Sequence, residues 1–565
     1  MNSRLAGLIL LCISAAFAQD ELWSPKPGPK PQLNGPTIYG ARPSRPFLYR
    51  IPATGDRPIT FSAANLPATL KLDPATGIIS GTTPSTPATL RITLKAQNSH
   101  GRDSRLFRLV IGDKLALTPP MGWNHWYTHY NRVTDRTIRN AADAMISSGM
   151  ADHGYQYVSI DDCWMVKLDS TDPELGGPAR DSAGRQLTNR RFPDMTALTG
   201  YIHAKGLKAG IYTSPGPNTC AGFEGAWQHE EQDASTFAEW GFDLLKYDWC
   251  GYRKIDNTPT DEARQKPYRL MGALLKRQPR DIILNLCQYG MNDVWKWGAD
   301  VGGQSWRTTG DLGLAKDSRL PGFYSIAFKN AELWQYAAPG AWNDPDYILI
   351  GWYGDARSTG VPRKARLTAY EQYSYMSLWS LMASPLFFSG DMEKLDEFTL
   401  NVLDNREIID INQDALGRQA RLVRKTENEM VLAKPLEDGG LAVGLGGDVV
   451  GGPGGVGADP GDQHQTLDAQ LASGAGDVAG AVDMDVGQLL AAGVVEDADR
   501  VDGGLGPGQG AADRGLVTDV GLHDLDLTDV AHQAHGVGQV RLTDGHTDAQ
   551  ALLGEGPNDL GSDEA

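Results

Sequence analysis

The sequence predicts an α/β protein: a (β/α)8 barrel preceded by a small all-β sandwich and followed by a low-complexity tail. Three observations carry that prediction. Between Leu115 and about Met392, short apolar runs alternate with segments of helical period, as parallel strands buried on both faces and crossed over by helices would require. Residues 32–112 instead alternate apolar and polar at period two, between turn clusters. After Lys434 the chain has no Lys, Ile, Phe, Trp, Tyr or Cys, which removes the residues that normally cover a β core.

A chain of 565 residues is too long for one core, so several units are expected. Residues 1–18 read as an export signal, with Arg4, the apolar run Leu8–Ile13 and the small-x-small site Ala16-Phe17-Ala18. That run is too short to span a bilayer, and the mature protein is expected to be secreted or periplasmic, with no membrane partner.

In the sandwich, Leu90–Leu94 and Phe107–Ile111 are predicted strands, and Asp73-Pro74-Ala75-Thr76-Gly77 a turn. The run LDPATGIISG (Leu72–Gly81) resembles the immunoglobulin-like repeats of exported bacterial proteins. A spacer or weak binding module without chemistry is the expected role.

The barrel is assigned to residues 115–423. Its predicted strands are Met121–Trp126, Tyr155–Ile160, Lys208–Tyr212, Asp243–Tyr247, Ile282–Leu286, Ser305–Thr308, Tyr347–Ile350 and Leu386–Phe388. Thr134 caps a predicted helix that Gly149 ends, with Ile138, Ala142 and Met145 on one face. Thr368 and Glu371 make a capping-box pair before Tyr375, Leu378 and Trp379. A doubly wound open sheet is the rival, but no glycine-rich phosphate loop follows the first strand.

Residues 424–445 read as the start of a C-terminal β-domain, and 446–565 as an acidic Gly/Ala/Asp/Val tail, expected to be disordered. A reading-frame shift near Leu445 accounts for that change; a natural acidic linker is the alternative, and resequencing the gene there separates them. The net charge of −18 belongs to this tail, which has 22 acidic residues against Arg500, Arg514 and Arg541. The rest is nearly neutral and has no basic stripe, so nucleic acid is excluded as a partner. With no CxxC pair and no His/Cys cluster at metal spacing, no metal is expected and no cofactor is called for.

Side chains just past the C-terminal ends of barrel strands converge on one mouth. Here those ends carry acids: Asp161-Asp162 after strand two, Asp248 at strand four, Asp311 after strand six, and Asp344 and Asp346 before the predicted strand seven. An unpaired buried carboxylate is costly and needs a reason. Glycoside cleavage supplies one, since it uses one carboxylate to attack the sugar carbon and one carboxylic acid to protonate the leaving oxygen. Trp123, Trp164, Trp249 and Trp306 stand close to the same ends.

The segments PPMGWNHW (119–126), IDDCW (160–164), LKAGIYTSPG (207–216), LKYDWC (245–250), SWRTTGDL (305–312), WNDPDYILIG (342–351) and INQDALGRQ (411–419) resemble glycoside hydrolase family 27, the α-galactosidase or melibiase family. Their order and spacing, from about Leu117 to Val423, carry the resemblance. It implies a retaining exo-glycosidase acting on terminal α-D-galactosides, with Asp248 as nucleophile and Asp311 as acid/base. Their carboxyl groups would then sit about 5–5.5 Å apart. It further implies Asp161, Asp162, Lys246 and Arg307 as sugar-hydroxyl ligands, Trp123 as stacking platform, Cys287 near the group on sugar C2, and a Cys220–Cys250 disulfide. That bridge would contribute roughly 3–4 kcal/mol in the chain-entropy model.

The residues themselves add expectations. Lys246 beside Asp248 is expected to keep that carboxylate ionised. Asp162 has a second reading as a helix N-cap, and Asp344 and Asp346 read as structural turn residues. Cys163 lacks the family's partner, since Tyr127-Thr128-His129-Tyr130 follow strand one, and is expected to be a free buried thiol. The loop Cys287-Gln288-Tyr289 has no small residues, which favours galactose over an N-acetyl sugar; α-N-acetylgalactosaminide, β-L-arabinopyranoside and isomalto-glucan are the related alternatives. Two other classes compete: a lyase using Lys246 as a Schiff base, and a galactoside-binding protein that no longer cuts.

Overall fold

The computed structural model describes residues 22–312, 323–354, 362–426, 429–447 and 538–542. The predicted export signal and most of the acidic tail lie outside them. Among the described residues, no helix is long and apolar enough to cross a membrane.

The described residues hold two large separate cores. The N-terminal one packs a four-stranded sheet (Ile38–Ala41, Gly101–Ile111, Ala88–Asn98, Thr60–Ala64) on a three-stranded one (Pro46–Arg50, Ile78–Thr82, Leu70–Leu72). Phe47, Tyr49, Phe61, Ile92 and Phe107 fill the space between. In the predicted turn, the Asp73 carboxylate accepts the Ala75 N–H at 2.8 Å, and Gly77 takes φ +71°.

The second core is the barrel. Its eight parallel strands are Met121–Asn124, Tyr157–Ser159, Lys208–Thr213, Leu244–Asp248, Ile283–Cys287, Ser305–Arg307, Trp342–Asp344 and Leu386–Phe388, paired in sequence order with strand eight returning to strand one. Between strands seven and eight the ring is closed by the Ile348–Phe388 bridge, where the Ile348 N–H donates to Phe387 O and the Ser389 N–H to Ile348 O.

Strand seven corrects the sequence expectation: the ladder uses Trp342–Asp344, not Tyr347–Ile350. Pro345 has no N–H to donate, and Asp346 sits at φ +97°, so the chain leaves extended geometry before the apolar run begins. That run is buried as a wall against strand eight. Asp344 therefore ends strand seven and Asp346 follows it, at the mouth.

The predicted caps are present. Thr134 accepts the Thr137 N–H at the start of Asp135–Ser147, Gly149 follows that helix at φ +92°, and Thr368 and Glu371 cap Ala369–Leu381 reciprocally.

The sandwich sits on the N-terminal ends of the barrel strands. Arg42 pairs with Asp281, Arg57 with Asp152, and Asn34 donates to Asp152 O. A cavity of about 320 Å³ lies in this seam. Within it Asp243 is satisfied, accepting from His203, Arg280 and the Ala209 N–H.

Beyond the barrel, Arg421–Lys425, Glu429–Pro435 and Leu441–Gly447 form an antiparallel sheet, and Gly538–Leu542 adds a fourth strand beside Leu441–Leu445. Those five residues depart from the expected disorder of the tail; the rest of 446–565, with the proposed frame shift, lies almost wholly outside the described residues. A β pairing needs only backbone donors and acceptors, so a segment poor in aromatics can still supply one strand.

Candidate active site

Strand two ends at Ser159, and Asp161 and Asp162 follow, both buried. Asp161 is oriented from several directions. Its N–H donates to His125 Nδ1 at 2.9 Å, and its Oδ2 accepts from Asn124 Nδ2 at 2.9 Å, Lys246 Nζ at 2.8 Å and Tyr347 Oη at 3.1 Å. Burial alone would raise its pKa, but the Lys246 charge and the hydrogen bonds hold it below the usual carboxylate range.

Asp162 caps no helix. It accepts the N–H groups of Cys163 at 2.7 Å and Ala221 at 2.9 Å, tying the loop after strand two to the loop that carries Cys220. Burial is the largest influence on it and pushes its pKa up to about 7, against hydrogen bonds that lower it. A raised carboxylate pKa stabilises the fold when protonated. That contribution is full below the unfolded value near 4 and is lost as pH climbs through about 7. Asp162→Asn is expected to flatten this decline in thermal melts across pH 4–8, and an unchanged slope would remove Asp162 as its source.

Strand four, Leu244–Asp248, is buried at every position. Asp248 Oδ1 accepts from Tyr289 Oη at 2.7 Å. Its pKa is raised, first by burial, then by the charges of Asp311 and Asp161; Lys246 and the Tyr289 hydrogen bond oppose this. The expectation that Lys246 would govern Asp248 is therefore corrected. The ammonium pairs with Asp161, and its pull on Asp248 is outweighed by desolvation.

The same ion pair bears on the lyase alternative. Lys246 is held well above the ordinary lysine value, chiefly because Asp161 and Tyr347 outweigh the effect of burial. A Schiff-base lysine needs the opposite shift, towards the free amine.

After strand four, Cys250 is bridged to Cys220 with a Cα–Cα distance of 5.0 Å, and Ser214 Oγ donates to Cys250 O. Cys220, Asp248 and Cys250 cluster closely enough to resemble a metal site, but both sulfurs are spent in the bridge and offer no thiolate. Cys163 and Cys287 are free and buried. Cysteine-to-serine replacement at both bridge positions is expected to lower stability by roughly 3–4 kcal/mol in denaturant titration; an unchanged midpoint would contradict a bracing role.

Strand six delivers Arg307, only 3% exposed. Its Nη2 meets Asp346 Oδ2 at 3.0 Å, Asp311 Oδ1 at 3.2 Å and Gly310 O at 2.9 Å, while Nη1 reaches Cys287 Sγ at 3.8 Å. Arg307 Nε is buried and has no partner among the described residues. The Asp311 side chain is about one-third exposed, at the rim.

Asp346 is more than the turn residue expected from sequence. It takes Arg307, Tyr127 Oη at 3.1 Å and the Leu312 N–H at 2.9 Å, so it buttresses the segment that holds Asp311. Burial and the nearby acids push its pKa up to about 6. Asp344 accepts from Asn285 Nδ2 at 2.8 Å.

Asp161, Lys246, Asp248, Cys287, Arg307 and Asp311 thus line one connected cluster, and Asp162 stands behind it. Trp123 differs from the expected platform. It is fully buried, with its indole N–H on Gly390 O at 2.8 Å, and leaves no ring face open in this state. Trp164 and Trp306 are likewise closed in, and Trp249 nearly so. Tyr127 and Tyr347 had no role assigned from sequence, and Asp346 and Tyr289 were read only as a turn residue and as part of the loop near sugar C2. For Asp346, the signal was its place after a strand end, once strand seven is set correctly.

A (β/α)8 barrel whose mouth gathers a buried carboxylate, a second acid at the rim and a network of polar donors belongs to a glycoside hydrolase. A family model described as Alpha galactosidase A matches residues 118–414, and the chain belongs to this family. An Ig-domain model matches residues 30–112. Alpha-galactosidase 2 of Arabidopsis thaliana is 38% identical over 358 residues, covering 63% of this chain and 81% of that protein. A crystal structure of a candidate alpha-galactosidase from Bacteroides fragilis shares 38% identity, covers 76% of this chain and 87% of the other, and has a TM-score of 0.67. The Saccharomyces cerevisiae alpha-galactosidase solved with raffinose is 28% identical over 59% of this chain and 74% of its own, with a TM-score of 0.51.

Proposed function

We propose that this chain is an exported, retaining exo-glycosidase that removes terminal α-D-galactosyl residues from oligosaccharides or polysaccharides. The observation that carries the reading is that two acids stand at one barrel mouth beside the same donors: Asp248, buried at the end of strand four, and Asp311, held at the rim by Arg307, with Lys246 fixed on Asp161 next to them.

The chemistry follows the roles that the family resemblance implies for the two acids. Asp248 attacks the anomeric carbon through a carboxylate oxygen. The bond to the leaving oxygen breaks, and that oxygen takes the proton of Asp311. The resulting glycosyl ester is then attacked by water; Asp311 accepts the water proton, and the ester bond's electron pair returns to Asp248. Asp161 and Lys246, locked to each other, offer hydroxyl partners in fixed directions, and Arg307 Nε supplies one buried donor with no competing acceptor among the described residues. Cys287, Gln288 and Tyr289 are not small, which favours a hydroxyl over an N-acetyl group at C2.

The test is a panel of p-nitrophenyl glycosides followed by NMR of the first-formed sugar. α-Galactoside is expected to be the best substrate, with the α anomer released first. Preference for another glycoside, or release of the β anomer, would overturn the assignment.

A further inference from the structure

Resting on the reading of Asp248 as nucleophile, we propose that Tyr289 is the positioning residue for it, donating its phenol proton to Oδ1 so that the other oxygen attacks and later leaves.

Several independent features converge on that hydroxyl. Tyr289 Oη lies 2.7 Å from Asp248 Oδ1, and among the described residues no other donor reaches that carboxylate. The hydroxyl is flanked by the bridged sulfurs, 3.7 Å from Cys220 Sγ and 3.6 Å from Cys250 Sγ. A phenol has one proton to give, and the carboxylate is much the stronger acceptor. The disulfide therefore acts as a backstop against which the hydroxyl is held.

The backbone is bent to achieve this. Tyr289 is a non-glycine residue at φ +66°, a conformation that persists only where the surroundings impose it. The surroundings do so here. The Gln288 side chain closes the turn on Met291, donating to its carbonyl at 3.0 Å and accepting its N–H at 2.7 Å. Gly290 follows at φ +82°, and a Cβ there would lie 2.3 Å from Thr308 O, so the turn is pressed against the strand-six loop. The Arg307 guanidinium stands 5.9 Å from the centre of the Tyr289 ring. The loop after strand five is thus clamped between the segments carrying the two acids, and its single outward phenol points at one of them.

The hydrogen bond has a directional consequence. A phenol donates more strongly to an anionic carboxylate than to the carbonyl oxygen of an ester. Tyr289 therefore favours the states in which Asp248 is free. It assists the second step, in which the C1–Oδ bond breaks and the electron pair returns to the carboxylate.

Tyr289→Phe keeps the ring and deletes only the donor. With a dinitrophenyl α-galactoside, whose good leaving group speeds the first step, kcat is expected to fall about 10- to 100-fold, the range for a hydrogen bond to a charged group. KM should fall with it, leaving kcat/KM within about threefold, with a burst of phenolate equal to the enzyme concentration and a hexosyl adduct in intact-mass spectra. The acid limb of kcat/KM should move to higher pH, because Asp248 loses a bond that favours its charged form. Unchanged kcat and KM with an unmoved acid limb would overturn the proposal. Equal losses in kcat and kcat/KM without a burst would also overturn it, by making Tyr289 a wall of the sugar pocket. Asp248→Ala run alongside separates the two layers: if it retains activity, both claims fall, whereas an inactive Asp248→Ala beside a wild-type-like Tyr289→Phe removes only this one.

Discussion

Asp248→Ala is expected to lose about 10⁴-fold or more in kcat on every glycoside the wild type cleaves, while folding normally. The magnitude follows from the role. A nucleophile that forms the covalent intermediate has no substitute at the anomeric carbon, and water cannot fill its place in a site shaped around the carboxylate. Normal folding is expected because the side chain is desolvated, carries a raised pKa and is offset by one phenol hydrogen bond, so its removal relieves a cost. Addition of azide, a small anion able to occupy the vacated space, should restore turnover and give a β-galactosyl azide. Full activity in the alanine variant, or rescue without that product, would exclude Asp248 as nucleophile.

Arg307→Met should destabilise the protein by about 3–5 kcal/mol and reduce kcat/KM by at least about 100-fold. Two effects combine. The guanidinium is buried and pairs with Asp346, itself almost fully buried, so its removal strands a carboxylate away from water. It also holds Gly310 O and Asp311 Oδ1, and without it the acid at the rim is free to drift. The double variant Arg307→Met with Asp346→Leu separates these effects. Deleting both charges should recover most of the stability, since a buried pair is often dispensable to the fold, but none of the activity. Stability differences are read by urea titration. Recovery of both quantities together would mean that Arg307 serves the fold alone.

The parts of this protein that were legible in the residue order are those with a local cause. The barrel could be seen because buried parallel strands make continuous apolar runs and their helices announce themselves through caps such as Thr134 and the Thr368–Glu371 pair. Asp161, Asp248 and Asp311 could be seen because charge at the end of an apolar strand is expensive and calls for an explanation. Strand seven was misplaced because Tyr347–Ile350 has the composition of a strand, and its composition does not show that the pairing with strand six is made five residues earlier. Asp346 was misread with it.

Other features depend on partners distant in the chain. Whether Lys246 serves Asp248 or Asp161 is a matter of where strands two and four place their ends. The depth of Trp123 is set by the Gly390 segment, 267 residues away. The approach of Tyr289 to Asp248 needs the disulfide, the Gln288 turn and the strand-six loop together.

Residue order alone thus settled the class of scaffold, the end of it that carries chemistry and the acids available there, since hydrophobic period and the cost of burying charge act position by position. Folding in three dimensions decided which acid holds which cation, which rings are closed in and which oxygen of the nucleophile is tied down. Those outcomes depend on distances of a few ångströms between groups far apart in sequence, and on a local dielectric that exists only once the barrel has closed.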